Sequence, residues 1–72
     1  MIEIDSRYVD KENVYIVDFF DPWEIVKPWL YRTIGRQSTK SWELVGTEPD
    51  ACAISINSNR TDLLALVKLK WA

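Results

Sequence analysis

A single cysteine, Cys52, in a chain of 72 residues is the feature that most limits how this protein can fold. No intramolecular disulfide can form, and one thiol cannot build a cysteine metal site, so two staples common in small domains are missing. Histidine is absent as well, which removes the other usual zinc ligand. The fold must therefore rest on apolar burial, near the lower size limit at which burial suffices. The material is present: 47% of the residues are apolar and four are tryptophan, each able to bury about 150–250 Å². A single domain over residues 1–72 is expected, with no metal and no cofactor.

Period-2 patterns dominate the first third. Ile2, Ile4, Ser6 and Tyr8 alternate with Glu3, Asp5 and Arg7, as in a strand with one solvated face. Asp10 to Asn13 is a polar turn. Val14 to Val17, followed by Phe19 and Phe20, is apolar on both faces and rich in β-branched and aromatic residues, which suits a central strand. Further on, Trp42 and Leu44 share one face of a third strand ending at Gly46. Cys52, Ile54 and Ile56 alternate with Ala53, Ser55 and Asn57 in a fourth. Pro49 and the Asn57–Arg60 segment supply the turns around the fourth strand.

The stretch DFFDPWEIVKPWLYRTIGR, residues 18–36, holds five of the nine aromatics and two of the three prolines. Asp21-Pro22-Trp23-Glu24 is a helix start: a capping aspartate, proline at the first helical position and a D-x-x-E box. Pro28 removes one helical hydrogen bond, at a cost of about 3 kcal/mol. It predicts either a kinked helix over 22–34 or a short turn before a helix opening at Pro28. Gly35 is placed to end either one. Trp23, Val26, Leu30 and Ile34 form the core stripe, with Tyr31 at its margin. Ile25 and Trp29 point away, beside Arg32 and Arg36.

Residues 62–70 fit two patterns. Leu63 to Leu66 favours a helix, which Thr61 or Asp62 would cap. The alternation Val67-Lys68-Leu69-Lys70-Trp71 favours a strand, and the strand is the preferred reading. The expected architecture is α+β: a small, mostly antiparallel sheet in the order β-β-α-β-β-β along the chain, packed against one Pro-kinked helix. A last strand at the sheet edge would leave its backbone open to a second copy of the chain. Lys68 and Lys70 match the charges that natural edges carry, while Leu64 and Leu66 on its outward face would need a cover.

Charge is unevenly spread. Residues 1–26 carry seven acids and two bases, and residues 27–40 carry Lys27, Arg32, Arg36 and Lys40 with no acid. The chemistry on offer is sparse. With Gly35 and Gly46 the only glycines, no phosphate-cradling loop exists. Asp18, Asp21 and Glu24 form the nearest approach to a carboxylate cluster, yet Asp21 and Glu24 already serve the helix start. Cys52, between alanines on a strand, reads as a small buried apolar side chain. The longest apolar run, Leu63 to Val67, is far short of a bilayer span. No secretory leader precedes the first strand, so a cytoplasmic protein is expected.

These features favour a non-enzymatic protein-binding module, a regulator, inhibitor or assembly subunit. Its contacts would be Trp29, Ile25, Arg32 and Arg36, because tryptophan and arginine are enriched at interface hot spots. A competing structural reading packs Trp29 under the chain's own terminus. The first functional alternative is a binder of single-stranded nucleic acid through the basic segment 27–40. Tyr31 would then stack on bases, and Lys40 would join the arginines on phosphates. The acidic balance of residues 1–26 opposes that reading unless the two patches face apart. A carboxylate-dependent enzyme is the weaker alternative.

Overall fold

The apolar run of residues 14–20 becomes a central strand of a four-stranded antiparallel sheet. A computed structural model describes the backbone of residues 4–71 and the side chains of residues 7–71. Its elements are β1 (Ile4–Val9), β2 (Val14–Phe19), α1 (Trp23–Thr33), β3 (Trp42–Glu48), β4 (Ala51–Asn57) and α2 (Thr61–Trp71). The sheet order is β1-β2-β4-β3, so β2 and β4 are central and β1 and β3 are the edges. Every pairing is antiparallel. Ile2 and Glu3 lie outside the described residues.

Register separates the two faces of the sheet. Val17 stands opposite Ile54, and Phe19 opposite Cys52, while Trp42 stands opposite Ile56 and Leu44 opposite Ile54. These side chains make the inner face and form one core with Val26 and Leu30 of α1 and Leu63, Val67 and Trp71 of α2. Both helices therefore cover the same face. Ile16 faces the other way, between Arg7 on β1 and Ser55 on β4. It is only 5% exposed, and Arg7, opposite it, reaches along the sheet to pair with Asp18 at 2.8 Å.

The α+β class with an antiparallel sheet is as expected; the end of the chain is not. Residues 61–71 form a helix and not a strand, so the order is β-β-α-β-β-α. Leu63, Val67 and Trp71, one turn apart, are buried, whereas Leu69 is 84% exposed; a strand would have turned it inward with Val67 and Trp71. Asp62 in the first turn and Lys68 and Lys70 in the last suit the helix dipole. The open edge foreseen at Val67–Trp71, and the homodimer through it, fall with that strand.

Helix α1 runs through Pro28 unbroken from Trp23 to Thr33, so of the two outcomes it is the single helix that forms. Glu24 and Pro28 both lie on its exposed side, where water can serve the carbonyl that proline leaves unbonded. The helix start differs from the expected box. Pro22 occupies the N-cap position and no side chain caps the helix; the Oδ2 atom of Asp21 is buried without a hydrogen-bond partner. The other end is as read. Gly35 has φ +113°, and its N–H donates to the Leu30 carbonyl at 3.2 Å, a backbone turn that a side chain would strain.

Candidate functional site

Helix α1 places the expected contact residues unequally. Ile25 is 54% exposed, and Arg32, two turns on, is exposed as well. Arg36 and Lys40 lie beyond the helix in the exposed loop to β3. Trp29 is half-buried: its ring meets Trp71 edge to face, with centroids 5.9 Å apart and planes at 88°. The terminal helix thus takes up much of the ring that the sequence assigned to a partner. Ile25, Arg32 and the remaining edge of Trp29 still share one side of α1.

Tyr31 is also engaged. Its ring meets Trp42 edge to face at 5.3 Å, Lys27 stands 5.9 Å over it, and its hydroxyl accepts a hydrogen bond from Gln37 Nε2 at 3.0 Å. One side of the ring is thus engaged, while 37% of the residue stays exposed. Trp42 itself is fully buried, donating Nε1–H to the Gly35 carbonyl at 3.1 Å.

The tertiary fold sorts charge in a way the linear pattern only hinted at. Residues 22–40 and 60–71, which make the helical layer and its loop, carry seven bases against Glu24 and Asp62, a balance of +5. Residues 4–21 and 41–59, the sheet and its turns, carry eight acids against Arg7 and Lys11, a balance of −6. Helix α2 adds Lys68 and Lys70 to the basic layer, together with Leu66 and Leu69, which are 41% and 84% exposed.

The carboxylates highlighted in the sequence serve separate purposes. Asp18 accepts from Arg7 Nη1 at 2.8 Å, Asp21 is partly buried beside the core, and Glu24 is exposed. Among the described residues, no three acidic, cysteine or histidine side chains lie close enough to hold a metal ion. Cys52 is buried at the sheet centre. Burial first, and the nearby Asp21 charge second, push its thiol up to about 11, so it stays protonated at neutral pH.

Two of the grooves along the sheet lie toward its opposite ends. One, of about 450 Å³, lies at the β3–β4 turn end and is lined by Phe20, Val45 and Gly46 among others. The second, of about 690 Å³, lies toward the opposite end and is polar, lined by Asn13, Ser55, Asn57 and neighbours. Sequence reading missed the first because Phe20 looked like the end of a core strand and Val45 like an ordinary strand residue. In the fold both are 58% exposed. The signal that was available is the glycine at position 46, a residue that often marks a strand bulge.

No protein-family model matches the chain, and no curated protein or solved structure is detectably similar to it. Among the described residues no helix is long and apolar enough to cross a membrane.

Proposed function

We propose that this chain is a small non-enzymatic protein-binding module, acting as a regulator, inhibitor or assembly subunit, whose helical layer contacts an acidic partner. The observation that carries the reading is Ile25, more than half exposed on the same side of α1 as Arg32 within a layer of balance +5. An apolar centre ringed by cations fits a hot spot facing a surface of opposite charge. Arg36 belongs to its rim. Trp29 contributes an edge and not a full face.

The test is affinity capture from host extract with the wild type and with Ile25→Asp and Arg32→Glu, each with and without nuclease, read by mass spectrometry. The expected result is a protein captured by the wild type in both conditions and lost by both variants, with unfolding curves unchanged. Capture that both variants retain would sink the proposal. Trp29→Ala is a poorer probe, because it also removes the contact with Trp71 and should cost about 1–2 kcal/mol of stability.

One observation favours a second reading. The acidic residues that would repel a polyanion lie mainly in the sheet layer and the basic ones in the helical layer, so a nucleic acid reaching Arg32, Arg36 and Lys40 would meet few acids there. Against it, Tyr31 already packs on Trp42 beneath Lys27. Capture abolished by nuclease, with affinity falling steeply as salt rises, would transfer the function to this reading.

A further inference from the structure

The groove at the end of the sheet is built by a break in strand register. Leu44 stands opposite Ile54, but the next β3 residue to find a β4 partner is Gly46, opposite Ala53. Val45 is the extra residue of a β-bulge: alternation from Leu44 puts its side chain on the outer face, and the bulge sets Gly46 beside it on that same face. Phe20, just past the end of β2, is the other wall, and the floor between them is Gly46, Ala51 and Ala53. Two large apolar side chains, each 58% exposed, facing one groove of about 450 Å³ differ from apolar residues scattered singly over a surface.

The charge around the groove defines what would fill it. The groove lining contains Asp18 and Glu48 and no base, in a layer whose balance is −6. Asp18 is engaged by Arg7, whereas Glu48 has no ion pair among the described residues.

We propose that this groove binds an extended basic peptide of a partner protein, seating one apolar side chain between Phe20 and Val45 with a lysine or arginine beside Glu48 and Asp18. The peptide lies on the outer face of the sheet, over Ala51 and Ala53 of β4. This surface lies on the sheet, independent of the contact proposed for the helical layer, and either can fail without the other.

Gly46 supplies a clean block. A Cβ there meets no atom within 4 Å, so Gly46→Val, a small side chain, is chosen to fill the groove. The probe is a blocked hexapeptide alternating lysine and leucine, titrated into the labelled full chain while amide NMR shifts are followed. Saturable shifts at Val45, Gly46, Thr47 and Ala53 are expected, absent when glutamate replaces lysine or serine replaces leucine, and absent in Gly46→Val. Glu48→Lys, on the exposed rim, should weaken binding about tenfold and keeps the test open if the valine variant does not fold. Absence of saturable shifts, shifts elsewhere, or shifts that persist in both variants would overturn the proposal. So would concentration-dependent shifts of the same amides without peptide, which would give the groove to a second copy of the chain.

Discussion

Two aromatic clusters hold the helices to the sheet, and they are not equivalent. Around Trp42 stand Trp23 at 6.0 Å and Tyr31 at 5.3 Å, and the indole N–H donates to the Gly35 carbonyl. Around Trp71 stand Phe19 at 5.4 Å and Trp29 at 5.9 Å, but the buried indole N–H has no partner among the described residues. The first cluster joins β3 to both ends of α1, because Gly35 is also the residue that terminates that helix. The second helps to fasten α2 by ring packing, with the Lys70 amine 5.7 Å over the Trp71 ring and no hydrogen bond from the indole. Similar apolar burial thus comes with a satisfied polar atom in one cluster and an orphaned one in the other, and a buried donor without a partner costs about 1–3 kcal/mol.

The largest expected effect is Trp42→Ala. It removes a fully buried ring, its two aromatic contacts and the bond to Gly35. A loss of about 3–5 kcal/mol is expected, which for a domain of ordinary stability, about 5–15 kcal/mol, approaches global unfolding. Trp71→Ala should cost less, nearer 3 kcal/mol, and urea denaturation of both variants gives the ranking. Equal costs would break the comparison.

Phenylalanine sharpens it. Trp42→Phe keeps much of the packing but strands the Gly35 carbonyl, so about 1–3 kcal/mol should be lost. Trp71→Phe removes an N–H that had no partner, and stability should change by less than about 1 kcal/mol. A larger loss in Trp71→Phe than in Trp42→Phe would show that the Trp71 N–H is satisfied after all.

Cys52 lies opposite Phe19, next to the second cluster, and reports on the core both share. Its thiol is raised from 9.0 to about 11, so the folded state disfavours the thiolate. The stability held by the neutral thiol is complete below about pH 9 and is lost as pH rises through about 11. A thiol reagent at pH 8 should therefore label native protein far more slowly than urea-unfolded protein; equal rates would place the thiol at the surface.

The smallest effect belongs to Leu69, on the side of α2 away from Trp71. At 84% exposure it contributes little to the core, and Leu69→Lys should shift stability by no more than about 0.5 kcal/mol. A loss of several times that would mean that α2 buries a face other than the one seen here.

Much of the fold was legible in the chain. Strict alternation over residues 51–57 admits only a strand with one buried face, and the spacing of Val26 and Leu30 with Trp23 and Ile34 set the core stripe of α1. The sequence by itself determined these elements because period 2 and period 3.6 place their apolar residues differently. It could not decide α2, for a geometric reason. Leu63, Val67 and Trp71 are four apart, and a spacing of four returns to one face in a helix and in a strand alike. Ala65 and Leu69 distinguish the two, and Leu69 turns outward only once the tertiary structure has closed around the other three. The same packing decided the candidate sites. Trp29 looked free on an isolated helix, but α2 brings Trp71 against it. Val45 looked like an ordinary outward strand residue until the shift between Leu44 and Gly46 set a glycine beside it on the same face and opened a groove. Charges scattered along the chain became a basic layer and an acidic one because both helices settled on the same face of the sheet.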